Sequence, residues 1–206
     1  MPKHLIPLND EPILHRTVRL IQEFDPDGEI TVVIRDVDRD DHRYAPSGVR
    51  VWVDEPVLGM GDLNKFVSSR HLWADDADTV TLFGDVWFSR EVLSDVANAH
   101  PESWWAWLKF GQQRAGRVWG GEVFAFRWTA DTCGEVWETC QRIAAMEGAD
   151  GPGGWMLFRA LSGGHPARHV DYPGRTLVDD WTDDFDAPWD WHEWCYRWAT
   201  AQERPL

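Results

Sequence analysis

Apolar positions along the chain follow two rhythms, one near 3.6 residues and one of short unbroken runs, and their alternation outlines the elements. Ile13, Leu14, Val18, Leu20 and Ile21 fall at near-helical spacing across residues 12–24. Pro12 suits a first-turn position there, and Asp10 stands where a cap is expected. Asp25-Pro26-Asp27-Gly28 breaks that helix. Ile30-Thr31-Val32-Val33-Ile34 is a continuous β-branched run, which predicts a strand buried on both faces. The polar stretch 36–46 predicts a loop, and 49–53 a second strand. Gly59-Met60-Gly61-Asp62 opens a helix expected to reach Trp73, and Val80 to Phe83 is a third buried strand ending at Gly84-Asp85. Ser89 caps a helix through Ala97, with Glu91 in its first turn. Trp104–Phe110 and Glu122–Trp128 predict two more strands, separated by a stretch rich in glycine and arginine. Asp131 is the expected cap of a long helix to about Met146. A short helix over Trp155–Leu161 and a final one from Pro188 to Ala201 complete the pattern.

Strands alternating with helices in the first half predict a parallel sheet with helices on both faces. The second half adds strands without crossover helices, so the sheet is expected to be mixed. The fold class is therefore α/β, a single Rossmann-like three-layer domain spanning residues 1–206 with a mostly parallel mixed sheet. Ligands of such sheets gather at the carboxyl ends of the strands, and Asp85 stands at one.

Composition narrows the possibilities. A net charge of −15 disfavours sequence-independent grip on nucleic acid, which needs clustered cations. No 18-residue apolar stretch is present to suggest a membrane span, and the start has no apolar segment resembling a secretory signal. Three cysteines at irregular spacing do not make a disulfide framework or a zinc ribbon. Cys133 and Cys140, seven apart, share a helix face, and a reduced cytoplasm suits them. The fifteen tryptophans admit two readings, core packing or a stacking platform for sugar or base, and packing is the more ordinary one.

Two acidic groups carry the candidate chemistry. In Leu82-Phe83-Gly84-Asp85-Val86 a carboxylate follows a buried strand, and the glycine before it lets a phosphate or metal approach the backbone. The alternative is a turn residue capping the next helix, for which Ser89 is better placed. Asp183-Asp184-Phe185-Asp186-Ala187-Pro188-Trp189-Asp190 combines an ordinary capping arrangement with a density of like charge. Such density is costly unless solvated or shared with a cation. Lys3 is a possible phosphate contact, though in isolation a frayed terminal lysine is much the more ordinary reading. His165, His169 and Asp171 form a weaker metal candidate in a glycine-containing loop, and Glu122 a possible sugar contact or base.

Taken in order, these pieces resemble the sugar nucleotidyltransferases. Pro2-Lys3-His4-Leu5-Ile6-Pro7 with Pro12-Ile13-Leu14-His15-Arg16-Thr17 is similar to the segment that follows the family's glycine-rich loop. Gly59-Met60-Gly61-Asp62-Leu63 looks like its glycine turn near the nucleotide, and Phe83-Gly84-Asp85-Val86 like its metal-binding Gly-Asp. Gly121-Glu122-Val123-Phe124-Ala125-Phe126 resembles the later strand lining the sugar pocket, and Phe185-Asp186-Ala187-Pro188-Trp189-Asp190 the ending that supplies a second metal carboxylate. The resemblance implies a glycosyltransferase A-type fold, with Mg²⁺ or Mn²⁺ held by Asp85 and Asp186. It also implies catalytic roles for Lys3 and Asp85, and substrate contacts from Gly59, Gly61, Asp62, Gly84 and Glu122. In that family a strand and an arginine-bearing glycine-rich loop precede the Pro-Lys segment, and this sequence begins just after them. The loop therefore lies upstream of Met1 or is absent, and without it the phosphates lose their main cradle.

Three functions follow as expectations. In the first, a sugar phosphate attacks the α-phosphate of a nucleoside triphosphate. In the second, a sugar passes from a nucleotide-sugar to an acceptor: a glycan, a protein or a hydroxylated nucleic-acid base. Arg114 to Arg117 and Trp104 to Trp107 would then lie near the acceptor, unless they are a solvated loop and a packed strand. In the third, the fold persists as a non-catalytic interaction domain.

Overall fold

The computed structural model describes residues 3–8, 10–54, 63–109, 113–114, 117–118, 122–146, 153–165, 174–185 and 188–202. Its strands are β1 (Pro7–Leu8), β2 (Glu11–Pro12), β3 (Thr31–Arg35), β4 (Arg50–Asp54), β5 (Thr79–Leu82), β6 (Val86–Trp87), β7 (Trp104–Lys109), β8 (Gln113–Arg114), β9 (Arg117–Val118), β10 (Glu122–Trp128), β11 (Arg175–Leu177) and β12 (Asp183–Asp184). The helices are α1 (Ile13–Phe24), α2 (Asn64–Ser68), α3 (Arg90–Asn98), α4 (Cys133–Ala144), α5 (Gly153–Leu161) and α6 (Pro188–Gln202).

Among the described residues the central sheet has four strands in the order β11-β7-β10-β5. β11 runs parallel to β7, and β10 is antiparallel to both β7 and β5. β3 and β4 form a separate parallel pair, so the sheets are mixed, as expected. Among the described residues, parallel pairing is confined to those two places.

Helices cover both faces of the central sheet. On one face, Ala106, Leu108, Phe126 and Trp128 meet Val136, Cys140 and Ile143 of α4 and Trp155–Leu161 of α5. On the other, Trp107, Phe124 and Ala125 meet Leu20 of α1 and Val92, Leu93 and Val96 of α3. Strict alternation would send Phe124 and Ala125 to opposite faces. A register shift against β7 between Val123 and Ala125 turns both toward α1 and α3. Gly154 allows close approach on the opposite face, where a Cβ would stand 3.0 Å from the Phe83 ring and press it aside.

Arg127, buried in β10, ties the layers together. Its guanidinium donates to the Val96 and Ala97 carbonyls at the end of α3, at 3.0 and 2.8 Å, and to Asp78 just before β5 at 2.9 Å. The cation thus satisfies carbonyls that the helix leaves unpaired.

Several local expectations are corrected. β3 buries only Ile34 and β5 lies at the sheet's edge with Val80 38% exposed, so neither strand is covered on both faces. Asp10 does not cap α1. It takes a left-handed turn (φ 67°) between β1 and β2, and Pro12 occupies the cap position. The helix expected to reach Trp73 ends at Ser68, where Ser68 and Ser69 hydroxyls turn back to the carbonyls of Lys65 and Phe66. Asp131 sits in a 3₁₀ turn, and Thr132 precedes α4 with its hydroxyl on the carbonyls of Ser103 and Thr129. Ser89 does cap α3, accepting from the Val92 amide at 3.1 Å.

Replacing Arg127 by Met should lower unfolding stability by about 3 kcal/mol, since Asp78 and the α3 carbonyls lose their buried partner. Urea unfolding measures this, and a loss under about 1 kcal/mol would show that the cross-link does not hold the layers.

Candidate functional site

Strand directions bring polar residues to one end of the central sheet. β5 runs to its carboxyl end at Leu82, and antiparallel β10 begins there with Glu122, opposite Lys109 of β7. β11 runs parallel to β7 and delivers the acidic segment 179–184 to the same end. β12 then pairs antiparallel with β6, Asp184 opposite Val86 and Asp183 opposite Trp87, and so runs toward Asp85. Asp186, two residues past β12, lies outside the described residues, as do Gly59, Gly61 and Asp62.

Asp85 occupies the turn between β5 and β6 with its side chain 36% exposed. Lys3, in a 3₁₀ turn over Lys3–Leu5, brings its Nζ to 3.5 Å from the Asp85 carboxylate. Leu5 anchors this turn by packing with Leu14, Val18 and Ile34. Gly84 is demanded by neither packing nor backbone: a Cβ would meet only the Cβ of His4, at 3.9 Å. The missing side chain leaves open space beside the carboxylate.

His4 joins the group, although the sequence reading gave it no role. Burial lowers its pKa from the ordinary 6.5, Asp85 works in the opposite direction, and Lys65 at the start of α2 adds to the lowering. Its Nε2 is buried without a hydrogen-bond partner among the described residues, and its ring lies 4.7 Å from that of Tyr44. The signal for His4 was its place beside Lys3; nothing local marked Lys65.

The acidic segment is held by its own network. Lys109 Nζ donates to the Thr182 carbonyl at 3.1 Å and lies 3.4 Å from the Asp183 carboxylate. Burial pushes the Asp183 carboxyl up, and Lys109 pulls it back. Asp180 accepts from the Ser89 hydroxyl and, at 2.7 Å, from the Thr182 amide. Asp183 and Asp180 are therefore engaged in structure.

Other candidates recede. Trp107 is fully buried, Trp105 donates to Thr176, and Trp104 packs edge-on to Phe158 at 6.0 Å, so the Trp104–Trp107 run is core. Arg114 and Arg117 belong to the short β8–β9 hairpin, while residues 115–116 between them, His169 and Asp171 lie outside the described residues. Cys133 and Cys140 share the buried face of α4, and burial pushes the Cys140 thiol up to about 12, far from nucleophilic use. Among the described residues no cluster of three or more His, Cys, Asp or Glu is placed to hold a metal. No helix among them is long and apolar enough to cross a membrane.

No protein-family model and no curated protein matches the sequence. The fold does match solved structures. A 4-diphosphocytidyl-2C-methyl-D-erythritol synthase from Anaerococcus prevotii is similar with a TM-score of 0.65 at 12% identity, over 97% of this chain and 93% of that one. A CTP:phosphocholine cytidylyltransferase from Streptococcus pneumoniae gives 0.60 at 10%, over 94% and 88%. A UDP-glucose pyrophosphorylase from Acinetobacter baumanii gives 0.57 at 10%, over 99% and 88%. At such identities the likeness establishes the fold, which is that of the nucleotidyltransferases.

His4 should titrate below 6.5. Because its folded pKa is depressed, the unfolded chain binds the extra proton first, so this residue weakens the fold as pH drops through 6.5 toward the lower folded value. An NMR titration of the His4 ring measures the midpoint, and Asp85→Asn should move it further down. An unchanged midpoint in that variant would mean the carboxylate does not act on His4.

Proposed function

We propose that the chain is a divalent-metal-dependent nucleotidyltransferase-like enzyme, in which a sugar phosphate attacks the α-phosphate of a nucleoside triphosphate. An oxygen of the sugar phosphate forms the new P–O bond, and the bond to the β-phosphate breaks to release pyrophosphate. The observation that carries this reading is the antiparallel pairing of β12 with β6, which directs the acidic segment toward the Gly84–Asp85 turn. The nucleotidyltransferase fold sets the context, shared as it is with a 4-diphosphocytidyl-2C-methyl-D-erythritol synthase, a CTP:phosphocholine cytidylyltransferase and a UDP-glucose pyrophosphorylase.

The residues present suit a hard cation. Asp85 offers carboxylate oxygens, half exposed, at a turn whose glycine leaves room. Asp85 and Asp186 are assigned as the ligands of Mg²⁺ or Mn²⁺. When bound, such an ion neutralises triphosphate charge and orients the reacting phosphate. Lys3 neutralises phosphate at the same place, released from its pairing with Asp85 when substrate enters. The 3.5 Å pair is exposed enough to be worth only about 0–1 kcal/mol, so that exchange is easy. Gly84 admits the phosphate close to the backbone, and Gly59, Gly61 and Asp62 are assigned to the nucleotide. Glu122, at the same end of the sheet, is assigned to a sugar hydroxyl. Catalysis of this kind is mainly positioning and charge stabilisation.

Calorimetry with nucleoside triphosphates and Mg²⁺ tests the reading. Metal-dependent binding is expected for wild type and should weaken about tenfold or more in Asp85→Asn, with the melting temperature moving by no more than about 4 °C. Gly84→Ala should keep the fold, since its Cβ makes only an ordinary contact, yet lose affinity for the triphosphate. Binding of nucleotide-sugars alone would transfer the assignment to sugar transfer onto an acceptor. No metal-dependent binding to either class would sink both.

A further inference from the structure

A cavity of about 430 Å³ opens between α1, the start of α3 and the aromatic cluster beneath α6, a size typical of small-ligand sites. Lys3, Gly84, Asp85 and Glu122 are not among its lining residues. Three arginines line it, and two are electrically satisfied. Arg19 donates to both Glu11 oxygens, at 2.9 and 2.8 Å, and to Glu23 at 2.9 Å. Arg90 donates to Glu23 at 2.7 Å.

Arg16 is different. Its Nη1 donates to the Phe88 carbonyl at 2.6 Å, and its guanidinium lies 4.4 Å over the Trp87 ring. Among the described residues no carboxylate stands within ion-pair distance of it. Burial works against its charge, Arg19 and Arg90 add repulsion, and Glu11 and Glu91 offset this only through space. Beneath it, Trp87 is 4% exposed with a buried Nε1 that has no acceptor among the described residues. The Asp180 carboxylate, which accepts from the Ser89 hydroxyl and the Thr182 amide, makes no ion pair with Arg16. A half-buried cation whose fork is mostly unused is unfavourable in the empty protein and favourable once an anion arrives.

We propose that this cavity binds a small aromatic carboxylate, its single charge on the Arg16 fork and its flat body against Trp181 and Trp198. Trp181 and Trp198 line the cavity with half-buried rings, 5.4 Å apart and edge to face, leaving apolar surface for a planar ligand. Glu11, Glu91 and Asp180 also line it, so a doubly charged phosphate meets more repulsion than a carboxylate does. A planar guanidinium matches a carboxylate in two parallel hydrogen bonds.

Calorimetry on the full chain with 2-naphthoate, with acetate and inorganic phosphate as controls, tests this. Naphthoate should bind, acetate and phosphate should bind far more weakly, and Arg16→Gln should weaken naphthoate binding about tenfold or more. Asp85→Asn should leave it unchanged, which separates this site from the nucleotide site. Phenylglyoxal labelling of the wild-type chain gives a second readout that needs no variant: naphthoate should protect Arg16 while Arg43 and Arg197 continue to react. No heat with naphthoate, equal affinity in Arg16→Gln, phosphate binding as tight as naphthoate, or unprotected Arg16 would each overturn the proposal.

Discussion

The burial of β10 is the constraint from which the rest follows. Val123 to Trp128 are all buried, so every backbone group of that stretch must find a partner inside the protein. β7 and β5 supply those partners on the two edges, and helices must then cover both faces. The register shift at Val123/Ala125 and the Arg127 cross-link to α3 are local consequences of fitting one strand between two unlike helical layers. With the directions of β5, β7 and β11 set against β10, their ends are set too. That is why Asp85, Glu122, Lys109 and the 179–184 segment share one end of the sheet.

α1 extends this logic beyond the sheet. Ile13 packs with Trp87 and Trp194, Leu14 and Val18 with Ile34, and Leu20 with α3 and β10. One amphipathic helix thereby joins the β3–β4 pair, the central sheet and the tryptophan cluster of α6. Its inward positions hold these bodies together. Its Arg16, at the border of two clusters, is left facing a cavity with one hydrogen bond to the described residues. The Lys3–Asp85 pair on the other side follows a different rule, since both side chains are partly exposed to solvent.

Most of the elements were legible in the sequence, because their signals are local. The spacing of Ile13 to Ile21, the Ser89 cap and the run Trp104 to Leu108 needed no distant partner to be read. The misses share a cause. β3 and β5 read as strands covered on both faces because β-branched runs look alike whether or not neighbours lie on each side. Asp10 and Asp131 read as caps because the residue type suits that role, whereas the chain direction around them was set by the β1–β2 turn and by the Ser103 carbonyl. The tryptophans divided as their surroundings required: Trp107 and Trp128 are core, while Trp181 and Trp198 wall a cavity.

By itself, then, the sequence determined the α/β class, the order of the elements and the acidic turn at Gly84-Asp85, each through spacing and residue type within a few positions. Tertiary structure alone decided which acids serve structure and which remain available. Asp180 and Asp183 are drawn into bonds with Ser89 and Lys109, residues 91 and 74 positions away, while Asp85 meets Lys3 in a solvent-exposed pair beside a bare glycine. It alone decided that His4 sits half-buried near Asp85, and that Arg16 has, among the described residues, none of the carboxylate partners that Arg19 and Arg90 have. The physical reason is that charge compensation and desolvation depend on distance in space. Chain spacing sets that distance only within one turn of helix or one hairpin.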